Sequence, residues 1–297
     1  MDAQTELKDP RHLYPEPPFP EQPQPRPGLA AEMKPKPDHG EESYKGSGKL
    51  VGRKALVTGG DSGIGRAAAI AFAREGADVA IVYLPEEEPD ASQVIALIEG
   101  AGRKAVAIPG DIKDQAFCEK LVKDAVQALG GLDILVNNAG HQQTRPDIGE
   151  ISNEQFDATL KTNLYAMFWI TKAAKEHLPP GAAIINTASI QAVDPSASLL
   201  DYAITKAGIV AFTKALAKQL IKKGVRVNAV APGPVWTALQ PSGGQTQEKV
   251  QHFGEQSSFG RPGQPVELAP VYVLLASQEA SFITGEVYGV TGGEGVV

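Results

Sequence analysis

Tyr202 and Lys206 stand four residues apart in Tyr202-Ala-Ile-Thr-Lys206, a spacing that puts both side chains on one face of a helix. A phenol ordinarily holds its proton up to a pKa near 10. An ammonium beside it favours the phenolate and lowers that value. Bringing it to about 7 takes roughly 4 kcal/mol of differential stabilisation. One lysine in a partly desolvated site, helped by a second cation, supplies much of that. A base poised near neutral pH is what alcohol oxidation requires. Taken alone, the pair also fits an exposed helix pair. Its place 13 residues beyond Ser189, with a glycine-rich turn far upstream, favours the catalytic reading.

That turn lies in Lys54-Ala-Leu-Val-Thr-Gly-Gly-Asp-Ser-Gly-Ile-Gly65. Residues 55–57 read as a short buried strand, and residues 66–75 as a helix stopped by Gly76. Strand, glycine turn and helix N-terminus together suit an anion: the first helical N–H groups have no internal partner and the macrodipole adds positive potential. The spacing Gly59-x-x-x-Gly63-x-Gly65 is neither the common dinucleotide fingerprint nor a P-loop. A turn that merely packs helix on strand is the alternative.

The elements needed to bring these groups together can be read in order. Strand-like runs at 55–57, 78–83, 104–108, 133–136, 183–186, 225–230 and 287–290 alternate with helical segments at 66–75, 91–101, 116–129, 152–177, 202–223 and 265–277. Ser152 and Gln155 make a plausible capping box. The strands are continuous apolar runs, the mark of a parallel sheet covered on both faces. The fold class is therefore α/β: a single doubly wound, Rossmann-type domain over residues 50–297 with a seven-stranded parallel sheet and helices on both faces. Ligands in such sheets sit beyond the carboxyl ends of the strands. Small or polar residues recur there: the glycine turn, Gly110-Asp111-Ile112, Asn137-Asn138-Ala139-Gly140, Ser189 and Pro232-Gly233-Pro234-Val235-Trp236-Thr237.

Residues 1–49 differ. They hold ten of the 23 prolines and favour extended polyproline II over helix. They form an arm that is either partly disordered or packed on a folded surface, its own or a neighbouring subunit's, with Leu13, Tyr14, Phe19 and Leu29 as anchors. Net charge is −7, which argues against a nucleic-acid or anionic-membrane surface. The sequence has no apolar run of about 18 residues for a membrane span and no signal-peptide core, so the expected location is the cytoplasm. The single cysteine, Cys118, reads as buried filler. No His, Cys or carboxylate group has the spacing of a catalytic metal site.

The motifs Thr58-Gly59-Gly60-Asp61-Ser62-Gly63-Ile64-Gly65, Asn137-Asn138-Ala139-Gly140, Asn163, Ser189, Tyr202-x-x-x-Lys206 and Pro232-Gly233 occur in an order that resembles the short-chain dehydrogenase/reductase family. Within it, the proline-rich head is similar to the glucose/ribitol dehydrogenase-like, general stress oxidoreductase group. The resemblance implies NAD(P)-dependent hydride transfer with a small alcohol or carbonyl substrate (sugar, polyol, aldehyde or ketone), in a homotetramer or homodimer. It implies that Tyr202 is the general acid/base, that Lys206 lowers its pKa and holds the nicotinamide ribose, that Ser189 bonds the substrate oxygen, and that Asn163 holds a relay water. Gly59, Ser62, Ile64 and Gly65 would line the pyrophosphate, with Asp61 and Gly63 in the same turn. Asp111 and Ile112 would flank the adenine, and Asn138, Ala139 and Gly140 the adjoining ribose. Val235 and Thr237, after Pro232 and Gly233, would orient the nicotinamide amide. A dinucleotide-binding regulator without turnover is the rival class.

At the end of the second strand an acidic residue favours NAD and an arginine NADP. Here Tyr83 and Leu84 give neither signal, and Glu86-Glu87-Glu88 follow. An acidic run close to a 2′-phosphate repels it, so the sequence leans to NAD over NADP; a solvated loop is the other reading. Residues 236–262 should cap the substrate pocket, with His141, Gln142, Gln143, Gln191 and Trp236 as candidate lining residues.

Overall fold

Each apolar run of the sequence becomes a strand whose successive side chains feed opposite faces of one sheet. The computed structural model describes residues 4 and 6–295. The strands are β1 (Lys54–Thr58), β2 (Asp78–Tyr83), β3 (Ala105–Pro109), β4 (Ile134–Asn137), β5 (Ala183–Thr187), β6 (Arg226–Pro232) and β7 (Val287–Val290), and they lie in the order β3-β2-β1-β4-β5-β6-β7. All pairings are parallel. Ala55, Val57, Val79 and Ile81 join a core with α1 (Gly63–Arg74), α2 (Glu88–Gly100) and α8 (Pro265–Ala276). Leu56, Ala80, Val82 and Leu135 join the other, with α3 (Gln115–Leu129), α5 (Ala166–Ala174) and the C-terminal part of α6 (Leu200–Leu220). Both faces are covered, which explains why the strands show no polar alternation. Cys118 is buried in the second core, its thiol donating to Ile112 O at 3.0 Å.

The chain leaves β1 toward β2 and β3, then returns to place β4 on the other side of β1. That reversal opens a crevice beyond the strand ends between β1 and β4. It is the feature that positions the site.

Two expectations need correction. The expected single helix over 152–177 is α4 (Asn153–Leu160), a wide π turn (Lys161–Tyr165) and α5. Ser152 does cap α4 by accepting from Gln155 N. The Gln155 side chain does not return the bond; it accepts from Arg145 Nε and donates to Asp201 instead. The capping segment 236–262 is also less irregular than its composition reads, containing a turn at Gln240–Gly244 and the short helix α7 (Gln247–Gln251).

Of the alternatives expected for the arm, its described residues take the packed one and lie on the chain's own body. Phe19 and Met33 are buried with Trp236, Ala238 and Val250, and the Phe19 ring stands 4.2 Å from that of Trp236. Asp90 accepts from Ala30 N and Ala31 N. Tyr44 donates to Glu75 at 2.7 Å, and Tyr44 and Leu50 belong to the main core, so no linker separates arm and domain. Leu13, expected as an anchor, is exposed; Phe19 and Tyr14 pack as expected, and Met33, beside the Lys-Pro run, is a further anchor the sequence did not mark. Among the described residues no helix is long and apolar enough to cross a membrane.

Candidate active site

A cavity of about 700 Å³ runs across the strand ends, within the size range of ligand sites. One end is the glycine turn. Ser62 caps α1 without a side-chain bond, which leaves the helix's first N–H groups open to an anion. Gly59 takes φ +61°, and a Cβ on Gly65 would stand 1.9 Å from Gly59 O. Gly65 does not line the cavity; it lets α1 seat directly under the turn. Asn138 Nδ2 donates to Thr58 O and Gly59 O, both at 3.1 Å. Thr58 Oγ1 accepts from Asn138 N and Ala139 N. The ends of β1 and β4 are thus laced together around the turn. A Cβ on Gly63 would lie 3.1 Å from Thr237 Cγ2, so the segment after β6 roofs the helix end. This cradle fits a pyrophosphate.

Toward β2 and β3 the cavity is lined by Asp61, Tyr83, Leu84, Asp111 and Ile112. Neither oxygen of the buried Asp61 carboxylate has a partner. Burial pushes its pKa up to about 7 and, together with the Asp61 charge, that of Glu87 to about 8. Glu87 accepts from Leu84 N, and Glu88 accepts from Tyr83 and Ser92 hydroxyls. Of the acidic run, Glu87 is therefore largely protonated and Glu88 is turned on its own loop, while Glu86 lines the cavity.

The other end holds the paired phenol and ammonium. Ser189, Tyr202 and Lys206 line it, with Ala139, Gly140, Pro232, Gly233 and Val235 between them and the turn. Tyr202 and Lys206 share the buried face of α6. Lys206 Nζ donates to Thr187 O at 2.7 Å and sits 5.2 Å from the centre of the Tyr202 ring. Thr187 itself is fixed by a 2.7 Å bond between its hydroxyl and that of Tyr272. Burial raises Tyr202 to about 12, opposed by the Ser189 hydroxyl, and lowers Lys206 to about 7. The expectation of a phenol already lowered by lysine is corrected here: in the chain by itself, loss of water outweighs the lysine.

Asn163 lies in the π turn. Its Oδ1 accepts from His141 N at 2.7 Å, and its Nδ2 donates to His141 O and Thr205 Oγ1, both at 2.9 Å. It clamps the loop after β4 to α6. Asn163 also lines a separate cavity of about 10 Å³, enough for about one water. Among the proposed lining residues, His141, Gln142 and Gln191 face the large cavity. Gln143 and Trp236 do not. Trp236 is fully buried under Phe19 and donates to Pro35 O, and Gln143 accepts from Arg26. Sequence reasoning missed Arg26, Gln240 and Gln245, which line the substrate end. The Oε1 atoms of Gln240 and Gln245 are buried without a donor. A glutamine-rich lid was the only signal for the last two, and nothing local marked Arg26.

A family model described as enoyl-(acyl carrier protein) reductase matches residues 59–294. The uncharacterized oxidoreductase YghA of Escherichia coli K12 is 60% identical over 290 residues, 98% of this chain and 99% of that protein. The chloroplastic NADPH-dependent aldehyde reductase 1 of Arabidopsis thaliana is 42% identical over 274 residues, 90% and 95% of the two chains. A crystal structure of a short chain dehydrogenase from Burkholderia cenocepacia J2315 in complex with NADP matches with a TM-score of 0.77 at 36% identity, covering 82% of this chain and 98% of that one. The lean to NAD finds no support in these relatives. It rested on the formal charge of Glu86–Glu88, of which burial raises the pKa of Glu87 to about 8 while Glu88 is turned onto the Tyr83 and Ser92 hydroxyls.

Proposed function

The chain belongs to the short-chain dehydrogenase/reductase family, and we propose that it is an NADP(H)-dependent oxidoreductase that interconverts an alcohol and its aldehyde or ketone with Tyr202 as general acid/base. One observation carries this: the open N-terminus of α1 and the side chains of Ser189, Tyr202 and Lys206 face one continuous cavity. The nicotinamide, when bound, gives or takes the hydride. The protein's residues do the rest. In reduction the protonated Tyr202 phenol passes its proton to the substrate oxygen, which Ser189 Oγ holds by a hydrogen bond. Lys206, fixed by Thr187 O, stabilises the phenolate that results and holds the cofactor ribose. Asn163 keeps His141 and α6 in register and serves the proton path from solvent.

The resting state suits reduction, because a phenol near 12 begins protonated at neutral pH. Oxidation must first remove that proton, which extra positive charge at the site favours. The choice of NADP(H) rests on the Arabidopsis and Burkholderia relatives, and the burial that raises Asp61 and Glu87 to about 7 and 8 lessens the negative charge a 2′-phosphate would meet. The unpartnered Gln240 and Gln245 oxygens suit hydroxyl groups on the substrate. A homo-oligomer belongs to the same reading: Tyr165, Phe168 and Ile204 leave an apolar face exposed on the π turn, α5 and α6.

A screen of aldehydes, ketones, sugars and polyols with each cofactor, read by reduced-nicotinamide absorbance, tests the proposal. Turnover that prefers NADPH is expected. Failure of either nucleotide to raise the melting temperature would sink it.

A further inference from the structure

Arg26 reaches the substrate end of the cavity from the N-terminal arm. Its Nε donates to Ser242 O at 3.1 Å and its Nη2 to Gln142 O at 3.4 Å. Its Nη1 donates to Gln143 Oε1 at 2.8 Å and to His141 Nε2 at 3.2 Å. Every acceptor is neutral. His141 accepts here as free imidazole, and burial, with the Arg26 charge, holds its pKa down at about 4.

No carboxylate forms an ion pair with Arg26 among the described residues. The charged groups it feels are Arg145, of its own sign, and Asp201. The Asp201 carboxylate is already taken by Gln155 Nε2, Thr159 Oγ1 and Tyr202 N. Of the acidic residues lining the cavity, Asp61, Glu86, Glu87 and Asp111 stand at the β2 and β3 end, and Glu294 on the C-terminal tail. The arm and the lid approach closely here: a Cβ on Gly243 would come within 2.9 Å of Arg26 Nη2, and one on the arm's Gly28 within 2.9 Å of Ala238 O. Arg26 is an exposed residue at the cavity's edge, so its charge is held by water and neutral acceptors rather than by a carboxylate, and its planar fork matches a carboxylate or phosphate.

We propose that Arg26 makes the arm part of the substrate pocket and selects carbonyl substrates that carry an anionic group, a carboxylate or a phosphate. This rests on reading the cavity as the carbonyl-reduction site.

The test is kcat/KM with NADPH for two matched pairs: succinic semialdehyde against butanal, and glyceraldehyde 3-phosphate against glyceraldehyde. The charged member should be preferred in at least one pair, which also tells carboxylate from phosphate. Arg26→Gln should lower that ratio roughly 10- to 100-fold, the effect of losing one charge-assisted bond, and Arg26→Lys should keep most of it. A ratio unchanged by Arg26→Gln, even with both rates reduced, would overturn the proposal and leave Arg26 as a fastener of the arm. So would a wild-type preference for the neutral member of both pairs. Calorimetric titration of the NADPH-loaded protein with 4-hydroxybutyrate against 1-butanol, alcohols that the reduced cofactor cannot oxidise, reads the same selectivity without turnover. A failure of the reductase reading is thereby kept distinct from a failure of this one.

Discussion

Lys206 Nζ lies 5.2 Å from the centre of the Tyr202 ring while it donates to Thr187 O at 2.7 Å. The cation is thus anchored on a backbone carbonyl and set over the ring it serves. Burial holds the phenol protonated up to about 12 and leaves the ammonium half discharged at about 7. Alcohol oxidation, which needs the phenolate, should therefore accelerate as pH rises from about 7 to about 9, whereas carbonyl reduction should not. Lys206→Met should slow oxidation more than reduction and move its profile to higher pH. Initial rates in both directions across that range check this; an oxidation rate that falls toward alkaline pH would count against it.

The ribose end gives a second pH signature. Asp61 is raised by burial from 3.8 to about 7, so the folded chain binds this proton more tightly than the unfolded chain. Its contribution is most favourable below about pH 4 and is lost as pH climbs through about 7. Asp61→Asn should therefore raise the melting temperature at pH 8, by roughly 2 to 4 °C for each 1 kcal/mol of strain relieved. Ionised Asp61 and Glu87 also repel a 2′-phosphate. The NADPH:NADH preference should fall between about pH 6 and about pH 9, and fall less in Asp61→Asn. A preference that rises with pH would contradict this.

Gly65 should tolerate no side chain. A Cβ placed 1.9 Å from Gly59 O must push the glycine turn off α1. Gly65→Ala should weaken NADPH binding at least about tenfold, a loss of 1.4 kcal/mol or more, measured by fluorescence titration. Unchanged affinity would show that the turn does not hold the pyrophosphate.

The strands and the site at their ends were legible because both depend on local signals. Apolar runs ended by glycine locate strands and helices, and the doubly wound rule then places Ser189, Tyr202 and the glycine turn on one edge. What was not legible depends on pairs distant in the chain. Arg26 meets His141 across 115 positions, and Trp236 meets Pro35 across 201, so an aromatic residue in a lid looked like pocket lining when the arm in fact covers it. The π turn has no local signature, since residues 161–165 suit an ordinary helix; Asn163 sits within it, where its amide bonds both His141 N and His141 O. The acidic run after β2 misled because formal charge in a sequence says nothing of burial.

The arm should behave as part of the fold. Phe19, buried against Trp236, contributes about 3 to 5 kcal/mol by the usual cost of Phe→Ala in a core. Phe19→Ala should lower the melting temperature and speed cleavage of the arm by dilute protease, while the native protein resists it. Rapid trimming of the native chain to about residue 45 would refute this packing.

In the proposed reaction Tyr202 moves the proton while the nicotinamide moves the hydride. Single-turnover oxidation of bound NADPH by an aldehyde, followed by absorbance in the wild type and in Tyr202→Phe, reads it directly. The substitution removes only the hydroxyl, so cofactor affinity should hold while the rate falls roughly 10²- to 10⁴-fold, the contribution of a positioned acid/base. A Tyr202→Phe rate within a few-fold of the wild type would contradict the account.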